Sequence, residues 1–254
     1  MAFNVAADVY DRFMGRYSGH LSAQMADLAG VRPGQRVIDV GCGPGALTAE
    51  LVGRLGAESV TAVDPSAQFV EAARARHPGV TVARAYAEDL PFADDAFDAA
   101  IAQLVVHFMA DPVAGLKEMA RVTRPGGVVA ACVWDHAAGG QGPLSLFWQV
   151  ARSLNPNAPG EQGGAGAREG HLAQLFAEAG LREIASTLVT SPVEHPTFEE
   201  WWEPYHGSVG PAGAYVASLD EEGKARLREA CRTRLGAGPF TVTGRAWAAR
   251  GLAG

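Results

Sequence analysis

The chain passes from a strand into a loop at Val37-Ile38-Asp39-Val40-Gly41-Cys42-Gly43-Pro44-Gly45, where a β-branched run stops in three glycines spaced two apart. Glycine permits backbone conformations that a Cβ would forbid, and it removes the side chains that would keep a ligand away from the main chain. Leu47, Leu51 and Leu55 follow at spacing four, which predicts a helix whose first amide groups face the loop. The stretch therefore predicts a strand, a loop that a ligand approaches closely, and a helix N-terminus suited to a polar or anionic group.

A second strand-like run, residues 59–64, ends in the carboxylate of Asp64, and Pro65 then opens another helical segment. An acid at the tip of the second strand is typical of nucleoside-binding sites, where it accepts hydrogen bonds from both ribose hydroxyls. The spacing Gly41-x-Gly43-x-x-Ala46 also satisfies the loose dinucleotide fingerprint. The glycine pattern alone does not identify the nucleoside, so an enzyme that binds a nicotinamide or flavin dinucleotide is an alternative.

Strand and helix patterns alternate along the first half of the chain. Such alternation predicts parallel strands joined by right-handed crossovers, and hence an α/β, doubly wound sheet. The predicted strands are 36–40, 59–63, 80–84, 98–105 and 127–133, and the predicted helices are 46–55, 66–76 and 112–123.

The second half of the chain predicts additions to the same domain. Residues 171–180 read as a helix closed by glycine, 181–190 as a sixth strand and 240–248 as a seventh. We interpret the chain as a single domain made of an N-terminal helical cap (1–32), a ligand-binding core (33–135), a linker with a helix and strand 6 (136–193), an insertion (194–238) and the last strand (239–254).

Composition bounds the class of protein. The chain has 254 residues, 48% of them apolar, and a net charge of -7, which argues against nonspecific binding to nucleic acid or to an anionic membrane. The three cysteines are far apart, so neither a disulfide scaffold nor a zinc site is expected, and no metal is needed. Neither a secretory signal nor a long apolar span is visible, so the expected location is cytoplasmic.

Asp39 just before the compact glycine loop narrows the choice of nucleoside. Here the sequence closely resembles the first motif of the class I S-adenosylmethionine-dependent methyltransferases. Residues 87–92, 97–101 and 116–129 resemble three later motifs of that family, in the same order. The nearest branch is the small-molecule methyltransferases that include the ubiquinone and menaquinone methylating enzymes. The resemblance implies a seven-stranded, mostly parallel sheet with an N-terminal helical cap and a late insertion.

The resemblance also implies a binding site for S-adenosyl-L-methionine, with S-adenosyl-L-homocysteine as product. The glycine loop would line the methionine portion, Asp39 would lie near its ammonium group, Asp64 would take the ribose diol, and the N-terminal helix would fold over the site. Tyr86 stands where many relatives carry an acid or amide, so the contact with the adenine amine would come from the backbone of Ala87 and Glu88 or from the Glu88 side chain. The implied cofactor-binding residues are Tyr10, Arg16, Tyr17, Asp39, Gly41, Cys42, Gly43, Gly45, Asp64, Pro65, Tyr86, Ala87, Glu88 and Gln103.

Methyl transfer from a sulfonium needs positioning and desolvation more than a dedicated catalytic group. His107, just past the fourth strand, is the best candidate for a general base, although a packing role is the alternative. His206 and Tyr205 in the insertion are weaker candidates for accepting a proton from the acceptor. Trp201 and Trp202 are adjacent and cannot both face the core of a helix, so one of them is expected to face the acceptor pocket.

These patterns predict the transfer of a methyl group to an oxygen, nitrogen or carbon atom of a small-molecule acceptor. Two alternatives stay open: an NAD(P)-dependent oxidoreductase on the same sheet, and a noncatalytic, regulatory module that binds S-adenosylmethionine. The identity of the acceptor and the oligomeric state do not follow from the residues.

Overall fold

The computed structural model describes residues 14–137, 139–160, 164–207 and 210–254. Tyr10, which the sequence analysis assigned to the cofactor site, lies outside these ranges. Within them, seven strands form one sheet in the order β3-β2-β1-β4-β5-β7-β6. The strands are β1 Val37–Val40, β2 Val60–Asp64, β3 Thr81–Arg84, β4 Phe97–Gln103, β5 Thr123–Trp134, β6 Arg182–His195 and β7 Phe240–Leu252.

Nine α-helices accompany the sheet in the described ranges. They are α1 Arg16–Leu28, α2 Ala46–Leu55, α3 Ala67–Arg76, α4 Pro112–Val122, α5 Ser145–Leu154, α6 His171–Glu178, α7 Phe198–Trp202, α8 Gly210–Ser218 and α9 Glu221–Leu235. Short 3-10 turns occur at Ala57–Ser59, Val106–Phe108 and Glu203–Gly207. No helix in this part of the chain is both long enough and apolar enough to cross a bilayer.

The strand directions confirm the α/β, doubly wound fold class. β1, β2, β3, β4 and β5 run parallel, and β7 runs antiparallel between β5 and β6. All four residues of β1 are buried, because helices cover both faces of the sheet. Covered faces explain why the central strands read as continuous apolar runs.

The two faces carry separate layers of core. On one face, Ile38 and Val40 pack with Leu116 and Met119 of α4 and with Phe176 of α6. On the other, a second set of alternating strand residues packs against α1 and α2. This layer includes the strand residues Val37, Ile101 and Trp134 and the helix residues Tyr17, Leu21, Met25, Leu47 and Leu51. The two layers hold the carboxyl ends of β1, β2 and β4 in a fixed arrangement.

A third cluster, which we call the helical cluster, lies mainly between β6 and β7 in sequence. It joins α5 to α7, α8 and α9, and its buried members include Phe147, Trp148, Phe198, Leu227 and Cys231. Its helices come from the linker and the insertion that the sequence analysis delimited.

The carboxyl ends of three strands differ from the predicted bounds by two residues or more. β4 ends at Gln103 rather than 105 because Leu104 adopts a positive φ of 64° and a 3-10 turn follows. β6 and β7 are longer than predicted, running to His195 and Leu252, because they pair with each other along almost their whole length. Local patterning did not reveal this pairing, since the two strands are far apart in sequence.

Candidate functional site

A cavity of about 610 Å³ opens at the carboxyl ends of the parallel strands. This edge is where doubly wound folds bind ligands. Eight residues that the sequence analysis assigned to the cofactor line it together: Gly41, Gly43, Asp64, Pro65, Tyr86, Ala87, Glu88 and Gln103.

The glycine loop is held against β2 and leaves space above it. The backbone amides of Gly41 and Cys42 both donate to the carbonyl oxygen of Val63, at 2.8 and 2.9 Å. Gly41 has a φ of +75°, and a Cβ there would lie 2.5 Å from a Val105 methyl carbon, so only glycine fits. A Cβ on Gly43 would meet nothing within 4 Å. The missing side chain at Gly43 therefore leaves space over the loop that a ligand can fill.

Asp64 at the end of β2 is oriented by two backbone amides. Its Oδ2 accepts from the Gly43 amide at 2.9 Å and its Oδ1 from the Ser66 amide at 2.8 Å. The residue is only 6% exposed, and burial raises the pKa of its carboxyl group. Each carboxylate oxygen can accept a second hydrogen bond. The group is thus prepared for a pair of neighbouring hydroxyls.

Asp39 lies beneath the loop rather than on the cavity wall. Its Oδ2 accepts a hydrogen bond from the Thr48 hydroxyl at 2.6 Å. Burial and, to a smaller extent, the nearby Asp64 raise the pKa of the carboxyl to about 7, and the hydrogen bond from Thr48 opposes them. A cation bound above the loop would favour the ionised form of Asp39.

The wall beyond β3 combines an exposed aromatic ring with a fixed carboxylate. The Tyr86 side chain is 62% exposed. The Oε1 of Glu88 accepts from the amides of Ala110 and Asp111, at 2.7 and 3.3 Å, and so ties this loop to the segment after β4. One role of Glu88 is therefore structural, and its contact with a ligand stays a prediction.

Arg16 and Tyr17 lie away from the cavity and connect α1 to the start of the insertion. The Tyr17 hydroxyl and His195 Nε2 are 3.1 Å apart, and His195 Nδ1 lies 2.8 Å from Glu200 Oε2. Arg16 pairs with the other oxygen of Glu200. Neither residue lines the 610 Å³ cavity, and their contact with a cofactor stays a prediction. Cys42 and Gly45 belong to the glycine loop, but they do not line the cavity either.

His107 lies beside the cavity, not on its lining. Its ring packs on Phe108 at a centroid distance of 3.8 Å and lies 6.2 Å from the ring of His136. Burial and the neighbouring His136 lower the pKa of His107 to about 3, so the imidazole is neutral at physiological pH. A pKa this low makes it a weak base, and its catalytic role stays a prediction.

The expectation that Trp201 and Trp202 cannot both face the core is wrong. Both are 3% exposed. The short helix α7 is covered on more than one side, with Trp202 packing on Phe198 and Trp201 on Tyr205. Trp201, Trp202 and Tyr205 belong to the helical cluster and do not line the 610 Å³ cavity. His206 is exposed. Contact of these four residues with an acceptor stays a prediction.

The sequence analysis missed the wall formed after β4. Residues there that line the cavity are Leu104, Val105, Phe108, Met109, Ala110, Asp111 and Ala114. One signal was available: Asp111 followed by Pro112 is a helix start, which places the preceding residues in a turn at the ligand-binding edge. Among the residues that the structure describes, no group of three histidine, cysteine or acidic side chains could hold a metal ion.

Comparisons with known proteins agree with this geometry. The family model described as "Methyltransferase domain" matches residues 38–131. The chain is 39% identical over 133 residues to 2-methyl-6-phytyl-1,4-hydroquinone methyltransferase 2 of Oryza sativa, an alignment that covers 49% of this chain and 37% of the rice protein. It is 33% identical over 204 residues to an uncharacterized methyltransferase of a Mycobacterium species, covering 75% of this chain and 79% of that one.

Among solved structures, the YcgJ protein of Bacillus subtilis superimposes with a TM-score of 0.59 at 19% identity, covering 92% of this chain and 97% of that one. This likeness shows the fold. Fold, glycine loop and strand-end acid together define a nucleoside-binding α/β protein. The chain belongs to the class I S-adenosylmethionine-dependent methyltransferases. It spans between 37% and 57% of the length of the first curated relatives that it matches.

Proposed function

We propose that this protein transfers the methyl group of S-adenosyl-L-methionine to an oxygen, nitrogen or carbon atom of a small-molecule acceptor. The observation that carries the proposal is the Asp64 carboxylate, held by the Gly43 and Ser66 amides on the wall of the 610 Å³ cavity. Family membership and the names of the matched methyltransferases support it.

The residues of the cavity fit this methyl donor. Asp64 offers two oriented acceptors for the ribose hydroxyls, and the open space over Gly43 admits a ligand against the main chain. Asp39, buried below the loop, becomes the counter-charge for a positively charged donor once it ionises. Gly43 thus leaves room for the ligand, Asp64 accepts hydrogen bonds from its hydroxyl groups, and Asp39 supplies a negative charge opposite its positive one.

The sulfonium of the donor supplies a good leaving group, so the chain's own part is to bind, orient and exclude water. Apolar side chains after β4, including Leu104, Val105 and Met109, form the wall that keeps water out. A hydroxyl, a carbon or a protonated amine that takes the methyl group must lose a proton, and His107 is the candidate base that the sequence offers.

The acceptor is proposed only as a small molecule. The rice relative is named for a hydroquinone, and this supports an acceptor of small size without transferring that identity to this chain. The cytoplasmic location expected from the sequence stays a prediction.

Isothermal titration with S-adenosylmethionine, S-adenosylhomocysteine and NAD(P)H tests the proposal. The two sulfur compounds should bind and the dinucleotide should not. Asp64→Asn should weaken the binding of both sulfur compounds by about 100-fold, since one carboxylate oxygen that accepts from a hydroxyl becomes an amide that donates.

The matched control is Asp94→Asn, because the Asp94 carboxylate is 73% exposed and pairs with Arg121 on the surface. This variant should bind like the wild type. Binding of the dinucleotide, or full affinity in Asp64→Asn, would exclude the proposed donor site.

A further inference from the structure

Two side chains at the end of helix α3 hold the outer side of the glycine loop, residues 41–45. His77 Nε2 lies 3.1 Å from the carbonyl oxygen of Gly45, and a guanidinium nitrogen of Arg76 donates to the carbonyl oxygen of Pro44 at 3.2 Å. Since a carbonyl oxygen can only accept, Nε2 must carry the hydrogen in the first of these bonds. His77 is half-buried and Arg76 is exposed, so the bond from His77 is the better shielded from water.

The last glycine of the loop fits against the imidazole ring of His77. Gly45 has a φ of +103°, and a Cβ there would lie 2.5 Å from Nε2 and 2.7 Å from Cδ2 of His77. Both distances are too short for real atoms, and Gly45 does not line the cavity. The missing side chain at Gly45 therefore makes room for the imidazole, whereas the missing side chain at Gly43 makes room for a ligand.

A turn transmits the position of Gly45 to the cavity wall. The Gly45 amide donates to the carbonyl oxygen of Cys42 at 3.0 Å, which closes a turn that contains Gly43. Gly43 lines the cavity, and its own amide donates to Asp64 Oδ2 at 2.9 Å. His77 thus holds one end of a turn whose other residues include part of the cavity wall.

Helix α3 reaches both parts of the proposed donor site. Just before its first residue, the Ser66 amide donates to Asp64 Oδ1 at 2.8 Å, and Phe69 in its first turn lines the cavity. At the other end of the helix, His77 contacts the glycine loop. One helix therefore connects the acid that faces the cavity with the residue that supports the loop.

We propose that His77 is a positioning residue for the methyl donor. It does not touch the donor. It fixes Gly45, and through the turn also Gly43, in the arrangement that lets the donor lie against the main chain. A loop that is held in its binding conformation beforehand need not be ordered when the ligand arrives, and this raises the affinity. The inference rests on the proposed function, because it takes the ligand of the cavity to be S-adenosylmethionine.

Substitutions of His77 test the hydrogen bond to the loop. His77→Ala should weaken the binding of S-adenosylhomocysteine by about tenfold, the size expected for the loss of one hydrogen bond. His77→Gln should bind within about threefold of the wild type, because the amide nitrogen of glutamine can donate to the same carbonyl oxygen. Isothermal titration measures the affinities, and melting temperatures show that the variants are folded. His77→Leu has the same expected loss and replaces His77→Ala if the smaller side chain prevents folding.

Arg74→Ala is the matched control. Arg74 lies one turn earlier in α3, and its guanidinium group donates to the carbonyl oxygen of Val82 in β3 at 2.7 and 3.1 Å. Its removal also deprives a backbone carbonyl of a side-chain donor from α3, but it leaves the glycine loop untouched. Arg74→Ala should therefore bind S-adenosylhomocysteine like the wild type.

A second measurement uses the fit between Gly45 and His77. The three atoms nearest to a Cβ at Gly45 all belong to His77. Gly45→Ala therefore drives a methyl group into the ring in the wild type but not in His77→Ala, while the positive φ strains alanine in both backgrounds. The loss of affinity caused by Gly45→Ala should be about tenfold smaller in His77→Ala than in the wild type.

Four results would overturn the proposal. They are wild-type affinity in His77→Ala, an equal loss in Arg74→Ala, an equal loss in His77→Gln, and equal effects of Gly45→Ala in the two backgrounds. A wild type that does not bind S-adenosylhomocysteine would instead overturn the proposed function.

Discussion

Asp39 is a single carboxyl group whose protonation is set by its surroundings. It is 1% exposed, and burial raises its pKa to about 7. Without ligand, the folded protein therefore holds a proton there at pH values at which an unfolded chain would have lost it. A positively charged donor over the loop favours the ionised form, so binding should release that proton.

We expect the affinity for S-adenosylmethionine to fall as the pH drops below about 7, approaching about tenfold per pH unit at lower pH for one released proton. Titrations from pH 5 to 8, repeated in buffers of different ionisation enthalpy, measure both the affinity and the number of protons released. In Asp39→Asn the profile should be flat over the lower part of this range.

The Asp94→Asn variant serves as the control, because its surface carboxylate lies outside the site and the slope should survive. A slope of equal size in Asp39→Asn would assign the released proton to another group.

Residue by residue, the sequence was most informative where backbone geometry demands one residue type. The glycine loop and Asp64 could be located because a strand that ends in glycines, followed by a strand that ends in an acid, has few other uses. The hydrogen bond from Gln103 Nε2 to the carbonyl of Ser18 in α1 could not be predicted, because the two residues are far apart in sequence.

Helix α1 is anchored by a chain of polar side chains that runs into the insertion. Burial raises the pKa of the Tyr17 phenol, so the hydroxyl stays protonated. In the neutral imidazole of His195, Nδ1–H donates to Glu200, and Nε2 accepts from Tyr17. Helix α1 is thus fixed to the end of β6 and to the start of the insertion.

Tyr17→Phe should lower the free energy of unfolding by about 1–3 kcal/mol, because the buried His195 nitrogen loses its only described donor. Urea denaturation followed by circular dichroism measures the change. Tyr215→Phe removes a hydroxyl whose bond to Asn155 spans 3.5 Å at the surface, so it should leave stability unchanged. Equal losses in the two variants would show that the hydrogen bond to His195 adds nothing specific.

The elements themselves were largely predictable, and the exceptions share one cause. Spacing located α2 and α4, because each buries one face, and short apolar runs located the parallel strands, which are covered on both faces. The same reasoning failed for helix α7. Trp201 and Trp202 are both buried because this five-residue helix packs against helices from two other parts of the chain. Burial on two sides is a tertiary property that a single helix period does not encode.

At the scale of the whole molecule, donor site and helical cluster are built on different cores. The cavity rests on the sheet, whereas Phe147, Trp148, Phe198 and Leu227 pack with one another away from it. The two parts should therefore differ in local stability.

Phe198→Leu should destabilise the helical cluster on the order of 1 kcal/mol, as the loss of part of a buried side chain does. Hydrogen exchange should speed up in α7 and α9 more than in β1 and β4, and the affinity for S-adenosylhomocysteine should not change. Ile38→Val, a comparable loss beneath the glycine loop, should instead speed up exchange in the sheet. Uniform loss of protection in Phe198→Leu would show that the two cores unfold as one unit.

The antiparallel ribbon of β6 and β7 has a consequence for how such proteins diversify. The ribbon closes at the pair His195 and Phe240, so the intervening residues 196–239 leave and rejoin the sheet at neighbouring positions. A replacement whose two ends meet at that spacing, and which covers Phe147 and Trp148 of α5, can be exchanged there without shifting the strands that carry Asp64 and the glycine loop. This segment can thus be replaced as a unit in evolution. A chimera made in the laboratory at the same two positions should keep its affinity for S-adenosylhomocysteine.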